Sequence, residues 1–594
     1  MNKRALMLSA ATLALLSGRT LADTDVTTKL TSPINTATDG DITIESDGSV
    51  IVTSSSNGVA AVTINSNNVV INQGQISYSG TSAAVGVEMV TGYTGEFESS
   101  GKMTLTGTGT GKIGILISGK SSDPDSGTFT GIIPTGDTVP VAIDLESGST
   151  LDVQGDESYG IDQVTGTNIN GDIILNGTLD VTPTSDTSTK TSLGNVIAVD
   201  LQGTMTGNFN IGTGGVVTAS GQGAEGVQTL GQITGYIFNQ GTLETVGTTV
   251  ASSNVNAVRP EAGTALGIGA SVTQGIYNAG PGTTSDTTTV RALISTVGDA
   301  PTILINPTLG NATPTTSLVI GTFYDSTDPG YSFLNRGTIS GTSTDPDVNV
   351  TTFSIVGAST TIQTDLTGGL FNGGSITAAA TTNTRQQSVT ANALIVGNYA
   401  VLGGNGLTNS DESNSGIISA SVSGPESGAA TAILIQQYGN LATIDNSGTI
   451  AASATTTNPQ FVTSLTAYAI YDASGSLTSI TNSGTISATT TPLADDAQLA
   501  IAADLSVSQK DIYFNNSGTV LGNVLFGTGA DTLIDTGTAQ IPATITGNVN
   551  FGGTSSTGGD DTLTIGDFGT LTGAVTEPLG SYVDVSIASG GTLN

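Results

Sequence analysis

No cysteine, histidine or tryptophan occurs in these 594 residues. An exported chain without cysteine cannot be cross-linked, so its stability must come from backbone pairing and burial. Without histidine or cysteine, nucleophilic catalysis by Ser/His/Asp or Cys/His groups is excluded, and so are zinc sites with nitrogen or sulfur ligands. Aromatic residues make up 4% of the chain, too few for a core of large side chains. A narrow core lined by Val, Ile, Leu and Ala fits instead. Bases are scarce: 13 Lys and Arg face 48 Asp and Glu, a net charge of −35. So acidic a surface repels phosphate backbones, which excludes nucleic acid as a partner. The charge serves solubility and leaves room for cation binding. Paired carboxylates are the one catalytic device left open. A sugar-acting enzyme would also want aromatics or bases to hold its substrate, and the chain is read as a non-enzyme without cofactor.

The N-terminus carries the first positive feature. Lys3 and Arg4 precede a short apolar run, Ala5 to Leu16, and Thr20-Leu21-Ala22 supplies small residues ahead of Asp23. Twelve residues are too few to span a bilayer, and these flanks fit a cleaved export signal over residues 1–22. No later stretch approaches the ~20 apolar residues of a membrane helix. Losing Lys3, Arg4 and Arg19 with the signal leaves 10 bases against 48 acids, a net charge of −38.

Thr, Ser, Gly, Val and Ile dominate the remainder, a composition for strands and turns. It also repeats itself. "NSGTI" stands at Asn446–Ile450 and Asn482–Ile486, and "NSGTV" at Asn516–Val520. Looser forms carry Asn72, Asn176, Asn239, Asn278, Asn335, Asn372 and Asn414, and from Asn239 to Asn516 the intervals are 39, 57, 37, 42, 32, 36 and 34 residues. A second apolar element, around Ile433, Ile470 and Ile501, precedes its asparagine by 13, 12 and 15 residues. Ile161 and Val227 hold the same relation to Asn176 and Asn239. Each module thus reads as two short strands with a period-two apolar face. Asn and Gly tolerate positive φ and turn the chain, and asparagines at stacked turns form a ladder of amide hydrogen bonds. Hairpins in an antiparallel sandwich are the alternative, but they would not require the same apolar bracket at every copy.

The expected fold is therefore all-β, a parallel β-helix. Asn239, Asn335, Asn372, Asn446, Asn482 and Asn516, with Gly448, Gly484 and Gly518, are expected as its turn and ladder residues. With about 20–25 residues per coil and a rise of ~4.8 Å, residues 23 to about 510 make a rod on the order of 100 Å long. Pro- and Thr-rich stretches at 118–131, 182–192, 280–290 and 342–350 are candidate loops on one face.

Two motifs invite a ligand. "GTGTGKIG" at 107–114 misses the phosphate-loop spacing by one residue, and Ile113 stands where Ser or Thr is needed. It reads as a glycine-rich turn. "FGTGADTLI" (526–534) and "TGGDDTLTI" (557–565) approach the calcium nonapeptide G-G-x-G-x-D-x-U-x, making Asp531 and Asp561 candidate calcium ligands. They lie 30 residues apart, whereas such ions sit between consecutive turns of tandem repeats, so solenoid turns without metal are the preferred reading.

The export signal, the missing cysteine, the recurring "NSGTI" and the terminal "VLFGTGADTL…TGNVNFGGTSSTGGDDTLTI…VDVSIASGGTLN" together resemble the passenger region of bacterial autotransporters (type V secretion) across the mature chain. The resemblance implies a right-handed β-helix, carried through the outer membrane by a C-terminal barrel of the same polypeptide. Barrel strands show ~10-residue segments of alternating hydrophobicity with aromatic girdles, which are absent here, so the barrel is expected beyond Asn594. Residues 23–510 are then an irregular solenoid, and 511–594 resemble the C-terminal segment where passenger folding starts. The function implied is a surface-displayed or secreted structural and adhesive protein, with a host or neighbouring cell surface, or another copy of itself, as partner. The alternatives are a solenoid-borne polysaccharide-acting enzyme and a secreted self-assembling layer or fibre protein.

Overall fold

Segments such as Ile42-Thr43-Ile44 and Ser49–Thr53 place every second side chain on one face, and that face is buried. The computed structural model describes residues 22–594 except 54–58, 81–82, 108, 121–122, 124–125, 136–137, 185–194, 248–262, 280–291, 324–329, 344–347, 382–387, 411–415, 425–426, 457–463, 492–497, 554–559 and 579–581. Residues 1–22, expected as an export signal, lie almost wholly outside the described residues, as does the expected 280–290 loop; the other three candidate loops are described in part. Apart from one helical turn, Thr36–Asp39, and one 3-10 turn, Leu309–Asn311, the regular structure described is strand.

The strands form three long parallel sheets, called A, B and C here, of 18, 18 and 17 strands. One coil runs through all three in turn, for example Thr443–Asn446 in A, Thr449–Thr456 in B and Ser464–Asp472 in C. The next coil repeats the path with Ser479–Asn482, Thr485–Thr491 and Gln498–Asp504, each strand parallel to the one before. The chain is a parallel β-solenoid. Short strands add a partial fourth side over two stretches, Thr128–Thr206 and Leu318–Leu441.

Two expectations change in detail. A coil contains three strands: the apolar element around Ile470 is the C strand closing one coil, and the asparagine ends the A strand opening the next. With eighteen strands in sheet A between Thr24 and Ile587, a coil averages about 33 residues where 20–25 were expected. At ~4.8 Å per coil the stack is about 80 Å long, shorter than the length read from the sequence. The extra residues per coil go into the third strand and into the connections between sheets.

Inward side chains stack in columns along the rod. Ile444, Ile480, Phe514, Leu533 and Leu563 form one in sheet A; Ile418, Ile450, Ile486, Val520, Ile545 and Leu571 form another in sheet B. All are at most 1% exposed and belong to one core running from Val26 to Leu571. Burying an Ile or Leu side chain contributes about 1.5–3 kcal/mol, and parallel in-register pairing delivers that burial coil after coil. From residue 375 to 491 the B strands reach seven or eight residues, and their inner face there carries Ala378, Ala380, Ala420, Ala452, Ala454 and Ala488. Small side chains at these sites draw sheets B and C together.

Glycine in the repeated turn has a cause other than positive φ. Gly448, Gly484 and Gly518 have ordinary negative φ, but they stack directly under one another. A Cβ on Gly484 would lie 2.0 Å from the Gly448 carbonyl oxygen, and one on Gly518 2.1 Å from that of Gly484. Those same carbonyls accept the next coil's backbone N–H, Thr485 to Gly448 at 2.8 Å and Thr519 to Gly484 at 2.8 Å. Gly484→Ala should therefore separate two coils and lower unfolding free energy by about 2–3 kcal/mol, read as a lower urea midpoint. Gly590→Ala, whose Cβ would come no closer than 3.3 Å to a neighbour, should leave the midpoint in place; equal shifts in the two variants would refute the close-approach argument.

Candidate functional site

The asparagines of the repeat end their A strands on the inward side, where an amide must find partners in the core. Asn239, Asn278, Asn335, Asn372, Asn409, Asn446, Asn482 and Asn516 lie in register in eight consecutive coils. Each is at most 3% exposed. Every Nδ2 donates to the Oδ1 of the next asparagine at 2.7–2.8 Å. Its second hydrogen reaches the carbonyl opening the following B strand, as from Asn446 to Thr485 at 3.2 Å and from Asn482 to Thr519 at 3.2 Å. All the amides point the same way, so the column is polar along the rod. At its donor end Asn516 Nδ2 meets Asp535 Oδ1 at 2.7 Å. At its acceptor end Asn239 Oδ1 receives the Gly241 N–H at 3.1 Å.

Two members of the sequence pattern stand elsewhere. Asn176 lies one residue past the column, whose place in that coil is held by buried Leu175; the neighbouring positions in register are Leu145 and Ile211. Asn414 lies outside the described residues, and the rung of its coil is Asn409. Asn409 was missed because "LTNSD" lacks the glycine, although it falls 37 residues from both Asn372 and Asn446. Asn72 is an isolated member, donating to Ser99 Oγ at 3.0 Å.

The two calcium candidates, Asp531 and Asp561, are also inward and fully buried. Asp531 Oδ1 accepts the Ile512 N–H at 2.9 Å, and Asp561 Oδ1 accepts the Asp531 N–H at 2.7 Å. Each carboxylate thus bonds a backbone N–H of the preceding coil. Burial raises both, Asp531 to about 7, and their mutual proximity adds to the rise at Asp531. Among the described residues no group of three or more acidic side chains is gathered for a metal ion. Asp535, just past the first calcium-like motif, is raised to about 6 by burial against the opposing effect of the Asn516 bond.

Lys112 of the glycine-rich turn is buried, and its ammonium bonds the carbonyls of Gly107, at 3.0 Å, and Gly109. Burial lowers its pKa, with Asp156 acting in the opposite direction. It clips its own turn shut.

Two outward-facing groups among the described residues bear on function. On sheet C, Asp162 and Asp200 are directly opposite in adjacent strands, with Glu225 on the next. On sheet A, Phe238 and Tyr277 stack in register at 4.9 Å, with Tyr236 and Phe323 packed around them at 5.2–6.4 Å. The signal for the aromatic group was present in "IFN" and "IYN", where the residue before each rung must point outward.

Compared with protein-family models, with curated proteins and with solved structures, the chain finds no match.

Asn482→Ala should strand the Asn446 donor and remove one of the donors to Asn516, lowering stability by about 2 kcal/mol. Asn176→Ala, outside the column, should change it by less than about 0.5 kcal/mol. Urea unfolding of both variants checks this, and a comparable loss at position 176 would show that the column is not the source.

Proposed function

We propose that this chain is the passenger of an autotransporter-like protein, a surface-displayed β-solenoid stalk with a structural and adhesive role. The observation that carries the reading is the single core running through every coil from Val26 to Leu571. It makes a long rod from one repeated contact, the architecture suited to holding a surface away from a cell. The signal-like residues 1–22, the absence of cysteine and the C-terminal resemblance support export through a narrow pore. The inward asparagines support a structural role for the repeat, since residues at most 3% exposed are out of reach of a ligand. Adhesive contacts then belong to the outward columns, such as the Phe238–Tyr277 aromatic group.

The acids on sheet C favour the enzymatic alternative least. The charge acting on Asp162 and on Glu225 is that of Asp200, itself raised by burial, and among the described residues no base acts on the three to hold an acidic or hydroxylated substrate.

The test is deletion of the gene in its own bacterium, with complementation, followed by assays of attachment to surfaces and of autoaggregation. Loss of either, restored by complementation and accompanied by protease-accessible chain on intact cells, is the expected result. Unchanged attachment and aggregation, or a chain confined to the cell interior, would sink the reading.

A further inference from the structure

Sheet C places three acids where stacked coils make them repel. Asp162, in the strand Tyr159–Gln163, stands opposite Asp200, in the strand Ile197–Leu201. Strands in register set these carboxyls at about the inter-strand spacing of 4.8 Å, and like charges directly opposite on a sheet are destabilising. Glu225, in the next strand, Glu225–Thr229, lies beside Asp200. The pair is not on open surface: Asp162 is 9% exposed and Asp200 3%. One oxygen of each, Oδ1 in both cases, is buried without a hydrogen-bond partner.

Among the described residues, the side-chain partners of Asp200 and Glu225 are neutral amides. Gln202 Nε2 donates to Asp200 Oδ2 at 2.8 Å, and Gln228 Nε2 to Glu225 Oε2 at 2.7 Å. Around them stand Tyr159 on the strand of Asp162 and, at its start, Glu157. Asp156 lies at the turn before it, and Lys112, just ahead of the preceding coil's strand Ile113–Ser118, is committed to carbonyls of its own turn. The strands flanking the column offer Leu116 on one side and Gly267, next to Gln228, on the other; Glu88, one coil beyond Leu116, is bonded by Ser118. Among the described residues of this surrounding nothing positive is aimed at the pair.

A buried carboxylate facing another, without a cation, is neutralised most cheaply by a proton. We propose that Asp162, Asp200 and Glu225 form a proton-binding cluster that holds the outer face of sheet C closed in acid and loosens it near neutral pH. The proposal is independent of the adhesive reading. Burial, and the neighbouring carboxylate, raise Asp162 and Glu225 to about 7, and burial raises Asp200 to about 6. Acids raised in the folded state contribute stability that is fully present below their ordinary values of 3.8 and 4.5. It is lost as pH climbs through the folded values, so the window runs from about pH 4 to about pH 7. Because the three share a site, they titrate as a unit.

Amide hydrogen exchange on the mature chain (residues 23–594) at pH 5 and pH 8, corrected for intrinsic rates, tests this. Amides of 159–163, 197–201 and 225–229 should lose at least tenfold protection at pH 8, while those of 444–450 and 480–486 in the asparagine coils should not. Asp200→Asn, isosteric and neutral, should remove most of that difference by protecting the segment at pH 8; Asp162→Asn serves as the second variant should the first fail to fold. Protection equal at the two pH values, or lost equally in both regions, overturns the cluster. If millimolar calcium restores protection at pH 8 in the native chain and not in Asp200→Asn, the site takes a metal ion and the proton reading fails.

Discussion

The fixed spacing of neighbouring coils, about 4.8 Å, is the constraint from which most of this molecule follows. Parallel in-register pairing sets each inward residue over its counterpart in the next coil, so a side chain's chief neighbour is the residue one coil on. Ile over Ile is favourable because the contact excludes water from both. Gly over Gly is required wherever a carbonyl of one turn approaches the next turn's Cα, as at Gly448, Gly484 and Gly518. Asn over Asn is favourable because an amide is both donor and acceptor and satisfies a copy of itself. Asp over Asp is unfavourable unless protonated, for a carboxylate only accepts. The same spacing thus explains why the sequence repeats some letters and why the exceptions carry perturbed pKa values.

The asparagine column illustrates how a core poor in aromatics gains specificity. Hydrophobic stacking tolerates a slip by two residues along a strand, since another apolar residue meets the gap. An amide displaced from its rung leaves a buried donor and acceptor unpaired, which costs about 1–3 kcal/mol for each group. The column therefore fixes register over the eight coils from Asn239 to Asn516, a task that disulfides perform in many other proteins. Its uniform polarity also accounts for its end. The donor of Asn516 has no further amide to meet, and Asp535 supplies an acceptor there. In the following coil the position is Ile565, and the polar column stops.

Much of this was legible. Period-two alternation and the apolar brackets around each asparagine pointed to a parallel β-solenoid, because stacking demands the same letters at every copy. The column itself was traceable from Asn446, Asn482 and Asn516. What escaped had physical causes. Asn176 carries the Asn-Gly signature yet sits one residue off the column, since turn chemistry is written locally while register is decided by the neighbouring coil. Asn409 lacks the signature and occupies a rung because its spacing, not its flanking letters, brings it there. The glycines were read as positive-φ turn residues, although their need is a close approach of two backbones that no single coil reveals. Asp162 and Asp200 are 38 residues apart, and only the register brings their carboxyls together.

A rod whose coils are held together from within leaves its outward columns free to differ. The inward residues answer to the next coil, and a change there propagates as lost stability. Outward residues answer to solvent or to a partner, and along one column of sheet A they pass from Glu98 and Asp144 through Phe238 and Tyr277 to Thr408 and Asp445. Such variation would be intolerable in the core and costs little outside it, where exposed substitutions are usually within about 0.5 kcal/mol. Function in this architecture is therefore sought on the faces that do not repeat. The repeated pentad, by contrast, is the part of the sequence that stability alone accounts for.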